Sequence, residues 1–261
     1  AGALSLAIYS SRTEASFARP RDLVVARQLL AVSAPRIGEG LATTLAEFPF
    51  NALLLTFGTD VNAAYQIGRR MYQQVTSPLG RAYHTAASVV VGQSLGDGDV
   101  AAARFQGWAT TVLAVATMGA IAVALFVGAD WFVSLFTSDP ATAEYAVGFC
   151  RAYAVAAPAI GAYLAISGSL QGGSDTRTPF VARTTGMFGF LLGFGYLTSV
   201  LLGWGVIGIY AAIALQQFWA LAVVAWGFAR GDWAAKAAAM MDERGSASDD
   251  ALAEADAEAG D

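Results

Sequence analysis

Long apolar runs separated by short polar connections dominate the hydropathy pattern of the chain. A helix needs about 20 apolar residues to cross the roughly 30 Å hydrocarbon core of a bilayer, and several runs reach this length. Backbone in lipid must satisfy its own hydrogen bonds, and no run alternates with the period of a strand, so we interpret all of them as helices. The predicted fold is all-α, a polytopic membrane protein with a bundle of six transmembrane helices. The helices are predicted near 26–57, 61–95, 101–128, 141–170, 178–202 and 204–229.

The connections between these runs differ in charge. Three of them, near 57–61, 128–142 and 202–206, contain no Lys or Arg. The cations of the remaining connections and flanks are Arg12, Arg19, Arg21, Arg27, Arg104, Arg177, Arg183, Arg230, Lys236 and Arg244. Because positive residues stay on the cytoplasmic side, this alternation predicts a multi-pass protein of the cell membrane with a cytoplasmic C-terminus. Trp131, Trp204 and Trp233 fall near predicted helix ends, where an aromatic belt would place them.

Composition supports a membrane protein and excludes some functions. Only 13% of the 261 residues are charged, against about 25% in an ordinary soluble domain. No basic patch with interleaved aromatics is present, so nucleic-acid binding is not expected, and Cys150 alone cannot form an intrachain disulfide. Residues from about Met241 onward are acidic and poor in apolar anchors. We therefore divide the chain into an N-terminal segment 1–24, a helical unit 25–232 and an acidic, disordered cytoplasmic tail 233–261.

Charged residues inside the predicted helices are the main candidates for function. Such charges are costly in lipid and usually face a protein interior or a water-filled cavity. Glu47, Arg69, Arg70 and Arg151 each lie about ten residues from the outer end of their helix, which at about 1.5 Å per residue places them near one depth. We expect Glu47 to pair with Arg151 or with one of Arg69 and Arg70. The pair is either a static contact between helices or a cavity carboxylate coupled to cation or proton binding.

A second layer of polar residues is predicted closer to the cytoplasm. It contains Arg36, Glu39, Arg81 and His84. Arg36 and Glu39 are three residues apart and could pair along one helix, and His84 is of a type that titrates near neutral pH, although a lone buried His is more often only hydrogen-bonded. The spacing of Gly203, Gly205 and Gly208 would suit a dinucleotide only after a strand, and here it joins two apolar helices. No catalytic or metal-ligand motif is present, so we expect neither an enzyme nor a metal site.

Two glycine-rich motifs follow predicted helices on the cytoplasmic side. They read GQSLGDGDVAAAR and LQGGSDTRTP. Glycine permits tight turns, aspartate caps the helix that follows, and proline suits a first turn. We therefore expect mainly structural roles for Gly92, Gln93, Gly96, Gly98, Asp99, Gln171, Gly172, Asp175 and Pro179.

The order and spacing of these motifs resemble the multidrug and toxic compound extrusion (MATE) transporter family. The resemblance covers roughly residues 25–232. It rests on Ala86, Ala87, Gly92, Gln93, Leu95, Gly96, Gly98, Asp99 and Ala103, on Leu170, Gln171, Gly172, Asp175, Thr176 and Pro179, and on Pro35, Ala63, Ala64, Gln66, Ile67, Gly68, Gly203, Gly205, Val206, Gly208, Ile209 and Tyr210.

The family has twelve helices in two lobes around a central cavity, and this chain resembles the C-terminal lobe alone. The resemblance implies that Ala1 to Ser10 would end the preceding helix, that 12–27 would link the lobes, and that the chain is a fragment whose missing N-terminal lobe is its partner. Some members carry an acidic residue in the first helix of this lobe and another in the fourth. Thr43 stands near the first of those positions, and the fourth helix has only Glu144, at its outer end.

The resemblance implies a secondary antiporter that exports small organic compounds, cationic or amphipathic, across the lipid bilayer in exchange for Na⁺ or H⁺. No cofactor is expected beyond that coupling ion, whose site is not identified in this lobe. One alternative is a lipid-linked saccharide flippase of the same broad superfamily, which would need a cationic cavity built from Arg69, Arg70, Arg81 and Arg151. A different alternative is a non-transporting membrane subunit or receptor.

Overall fold

The computed structural model describes residues 23–237, and this part of the chain forms six long helical segments, as the hydropathy pattern predicts. Its elements are α1 (Leu23–Leu55), α2 (Thr59–Met71), α3 (Ser77–Gly96), α4 (Val100–Val127), α5 (Ala129–Ser134), α6 (Pro140–Gly172), α7 (Arg177–Thr185) and α8 (Val206–Arg230). A π-helical segment, Tyr72–Thr76, joins α2 and α3 into one rod, and α7 continues through two more π-helical segments to Leu201. The expectations for Ala1 to Ser10, for Arg12, Arg19 and Arg21, for Arg244 and for the tail from Met241 lie outside the described residues.

Four of the six segments are long and apolar enough to cross a membrane by length and composition: α4, α6, α7 with its extension to Leu201, and α8. The other two, α1 and the α2–α3 rod, are just as long. Their hydropathy is lower because they carry most of the charges that the sequence places inside the bundle. Polar residues concentrated on two of six packed helices indicate a polar interior rather than a uniformly apolar one.

Helix α6 is the centre of the bundle. It packs against α2, α3, α4 and α8, and its side chains are small, with buried Ala, Gly and Ser along most of its length. Small residues let helix backbones approach closely in membranes. The two glycine-rich motifs meet here, because a Cβ on Gly172 would lie 2.6 Å from the backbone oxygen of Ser88 and 3.2 Å from the backbone nitrogen of Gly92.

Aspartates begin three of the helices, and two of them, Asp99 and Asp175, are the caps predicted from the sequence. The side chain of Asp99 accepts a hydrogen bond from the backbone of Ala102 at 2.8 Å, and that of Asp175 accepts from the backbone of Arg177 at 3.1 Å. Gly98 adopts a φ of +77° in the turn before α4, which explains a glycine there. At the start of α6, the backbone hydrogen bond from Thr142 holds the pKa of Asp139 below its usual range.

The packed structure continues past the boundary expected at residue 232. Trp233 is fully buried, stacks on Phe228 with 4.9 Å between ring centroids, and lies under the guanidinium of Arg104. Trp131 and Trp204 are largely exposed at the other end of the bundle, as an aromatic belt requires. The belt prediction is therefore wrong for Trp233, because the chain folds back after α8 and buries the indole against the protein.

Candidate functional site

A polar cavity lies inside the bundle, between α1, the α2–α3 rod, α6, α7 and α8. It has two lobes of about 240 Å³ and 400 Å³, which taken together reach the size range of small-molecule sites. The two lobes meet at a shared set of lining residues: Thr43, Tyr72, Ser77, Arg81 and Arg183. We call the smaller and more enclosed lobe, which contains Glu47, the inner lobe, and the larger and more open one, which contains Glu39, the outer lobe. These names describe enclosure within the bundle and not the side of the membrane.

The inner lobe contains the ion pair that the charge pattern predicts. The guanidinium of Arg69 donates to the Glu47 carboxylate at 2.5 Å, and the two side chains are 28% and 38% exposed. α1 and α2 meet at this depth, so two charges that would each be costly in lipid compensate each other. Glu47 therefore pairs with Arg69, not with Arg70 or Arg151.

The outer lobe contains the second polar layer, with Arg36, Glu39, Arg81 and His84 on its walls. Arg36 does not pair with Glu39 along α1; it donates to the side-chain oxygen of Gln171 at 3.1 Å. Glu39 instead faces α6, where the Tyr163 hydroxyl lies 3.5 Å from its carboxylate. The prediction of an Arg36–Glu39 pair is wrong because the two side chains contact different residues of α6. Gln171, expected to be structural, thus lines the cavity.

Arg183 is the functional candidate that sequence reasoning missed. The charge pattern groups it with the cytoplasmic cations because it follows Arg177 closely, yet it lies in α7 on the wall of both cavity lobes. Its guanidinium carbon lies 6.0 Å from the centroid of the Tyr163 ring, within the range of a cation–π contact. Its position six residues inside an apolar helix was the available signal.

The π-helical segment Tyr72–Thr76 shapes the wall where the two lobes meet. Pro78 follows it and has no backbone N–H to donate to a residue one turn earlier. The backbone N–H of Ser77 bonds to the oxygen of Tyr72, five residues back. Such π-turns occur frequently at functional sites, and this one places Tyr72 and Ser77 on the cavity surface.

Two of the predicted candidates lie elsewhere. Arg70 is exposed and lines neither lobe. Arg151 lies in a separate cavity of about 830 Å³, where it binds Asp130 at 2.9 Å. The predicted option of a Glu47–Arg151 pair is wrong because Arg151 lies on a face of α6 that meets Asp130 of the short helix α5, which hydropathy did not reveal. Glu144 lines this second cavity.

The remaining predicted residues form turns or line the cavity through their hydroxyl groups. Gln93 and Gly96 are exposed at the end of α3, and Pro179 is buried in the first turn of α7. Thr43 faces both lobes and donates to the backbone oxygen of Glu39 at 2.8 Å, so the position near which some MATE members carry an acid is a neutral hydroxyl here. Among residues 23–237, no three His, Cys, Asp or Glu side chains come together as metal ligands would.

Comparison with known proteins agrees with this architecture. The MatE family model matches residues 35–197. The multidrug resistance protein NorM of Burkholderia vietnamiensis is 32% identical over 222 residues, covering 82% of this chain and 47% of that protein. A probable NorM of Xylella fastidiosa strain 9a5c is 28% identical over 204 residues, covering 77% and 43%. The chain thus spans about half the length of these curated relatives.

Solved structures share the fold. The MATE transporter ClbM, determined in complex with Rb⁺, superposes with a TM-score of 0.74 at 24% identity over 82% of this chain and 50% of that one. A MOP superfamily transporter from Pyrococcus furiosus gives 0.71 at 18% identity over 78% and 45%. The family consists of membrane transporters and not enzymes. With a family match over more than half of its residues and a polar cavity inside an apolar bundle, the chain belongs to the MatE family.

Proposed function

We propose that this chain forms one half of a secondary transporter that exports amphipathic organic compounds by alternating access. The observation that carries the proposal is the polar cavity within a bundle of membrane-length helices, with an ion pair at Glu47 and Arg69. Ionisable residues in such a place mark substrate or ion pathways. The second half of the cavity would come from the other half of the transporter. That half rocks against the bundle formed by this chain around the bound substrate.

The proposed orientation follows from the distribution of cations. Arg104, Arg177 and Arg230 lie at the ends of α4, α7 and α8 that share one end of the bundle with Trp233. The positive-inside rule places this end in the cytoplasm. The described C-terminal residues are then cytoplasmic, and the cavity around Arg151 and Asp130 opens on the outside.

Exchange with Na⁺ or H⁺ is the proposed source of energy, and Glu47 is the candidate that senses the ion. A carboxylate paired with an arginine can exchange that partner for a proton or a cation as the two halves of the transporter move. The alternative is a pair that only joins α1 to α2. Replacing Glu47 by Gln separates the two, since the amide cannot titrate but still accepts a hydrogen bond from Arg69.

The test measures flux through the complete protein encoded by the source gene, reconstituted in proteoliposomes. A pH or Na⁺ gradient is imposed, and the movement of fluorescent organic compounds is followed. We expect flux that stops when the gradient is collapsed, and a loss of its ion dependence in Glu47→Gln but not in Arg177→Gln, which is exposed at the start of α7. Flux no greater than in empty liposomes would support the non-transporting alternative, and unchanged ion dependence in Glu47→Gln would assign the pair a static role.

A further inference from the structure

The charges of the polar cavity do not balance. Its walls carry four arginines, Arg36, Arg69, Arg81 and Arg183, against the carboxylates of Glu39 and Glu47. With His84 left out of the count, the walls formed by the described residues carry two more positive than negative charges.

Only one of the four arginines has a carboxylate partner among residues 23–237. Arg69 binds Glu47, whereas Arg36 binds the neutral Gln171. Arg81 and Arg183 form no ion pair with a described residue. Both stand at the junction of the two lobes. Arg183 is partly buried and interacts electrostatically with Glu39 without forming an ion pair with it, and Arg81 is exposed on the cavity wall. Charge inside a helix bundle favours an opposite charge as its partner, so this junction is where a negative ligand would gain most.

The surroundings of these two arginines suit an organic anion. Guanidinium groups bind carboxylate, sulfonate and phosphate oxygens through paired hydrogen bonds. Ser77 and Tyr72 supply hydroxyl groups at the same junction. Tyr72 stacks on Tyr153 with 5.5 Å between ring centroids, which gives the inner lobe a flat aromatic wall for the apolar body of a ligand.

We infer that the cavity binds amphipathic organic anions, with Arg81 and Arg183 holding the anionic group at the junction and the tyrosine wall holding the apolar body. The inference rests on the proposed export function and names its substrate class. The resemblance implied cationic or amphipathic compounds, and the inference chooses amphipathic anions. The anionic group could belong to a free solute or to a lipid pyrophosphate, and both have the same chemistry at the arginines.

The experiment compares two dyes of opposite charge, the anion carboxyfluorescein and the cation ethidium, binding to the protein as its source encodes it in lipid nanodiscs. We expect the unmodified protein to bind carboxyfluorescein more tightly than ethidium. Arg81→Gln and Arg183→Gln should each weaken carboxyfluorescein binding by about tenfold or more and leave ethidium binding unchanged or tighter. Arg183→Lys should retain part of the affinity, and Arg177→Gln, on the same helix but outside the cavity, should stay within about twofold.

The outcomes separate the site from its role in transport. A preference of the unmodified protein for ethidium would overturn the inference without any variant, as would equal carboxyfluorescein affinity in Arg81→Gln and Arg177→Gln. Competition by a polyprenyl pyrophosphate but not by free pyrophosphate would support the inference with a lipid as the source, and competition by both would support it with a soluble ligand. Ethidium flux without anion binding would overturn the anion site and leave the export proposal standing. Anion binding without flux of any dye would support the anion site and overturn the export proposal.

Discussion

Glu47 and Arg69 illustrate how single residues in this bundle depend on each other. Their contact joins α1 to α2 within a cavity, and both side chains are about one-third exposed. Because that exposure screens the charges, we expect a coupling free energy of about 1 kcal/mol or less. Glu47→Ala and Arg69→Ala should each lower the melting temperature in detergent, and the double variant should be less destabilised than the sum of the two.

The control for this double-mutant cycle combines Arg69→Ala with a substitution at a residue that Arg69 does not contact. Glu144 lies in the separate cavity near Arg151, so Glu144→Ala and Arg69→Ala should add without coupling. Full additivity of Glu47→Ala with Arg69→Ala would contradict the ion pair.

Sequence reasoning at this scale found charges but not always their partners. The depth estimate from the helix ends correctly brought Glu47 and Arg69 together. It failed for Arg151 because depth does not say which face of a helix a side chain occupies. Arg183 escapes the charge pattern because its closeness to Arg177 groups it with the connection, although it lies six residues inside α7.

At the scale of elements, the contact between α3 and α6 depends on glycine. A Cβ at Gly168, about one turn before the end of α6, would collide with the backbone oxygen of His84, which cannot move as a side chain could. We expect Gly168→Ala to destabilise the protein by about 1–3 kcal/mol, measured as a lower melting temperature in detergent. Because His84 lies on the cavity wall, anion affinity should fall as well.

Gly119 provides the matched control in a different helix. It lies inside α4, and a Cβ there would meet nothing within 4 Å. Since glycine in a helix interior costs conformational entropy, Gly119→Ala should be neutral or stabilise by about 0.5–1 kcal/mol. Equal losses for the two substitutions would mean that helix propensity, not the α3–α6 contact, governs position 168.

The helices themselves were predictable to within a few residues, but their internal irregularities were not. The run expected at 61–95 is a rod from Thr59 to Gly96, because hydropathy records how far an apolar segment extends. The π-turn within it depends on Pro78 and on the packing of its neighbours. Hydropathy averages over those features, so the widened turn that exposes Tyr72 and Ser77 to the cavity was found only in the structure.

At the scale of the whole molecule, six helices and their order followed from the sequence, whereas the cavity did not. Its walls come from five elements, and Thr43, Arg81 and Arg183 are 38 or more residues apart in sequence. Which faces of the helices meet is decided by close packing on α6, where small residues are buried on nearly every side. The motif resemblance identified the family, and the excess positive charge emerged only once the walls were assembled.

The orientation of the bundle gives the last prediction. Cys150 is fully buried, so it should react poorly with a membrane-impermeant maleimide. Labelling of each introduced cysteine is compared with labelling of the unmodified protein. Asp97→Cys lies in the turn between α3 and α4, and Ser138→Cys lies in the connection before α6; both positions are exposed. If the cation-rich end faces the cytoplasm, Ser138→Cys will be labelled in intact cells and Asp97→Cys only after permeabilisation. The opposite pattern would invert the topology and place the Arg151 cavity inside the cell, and labelling of both in intact cells would show that the chain does not cross the membrane between them.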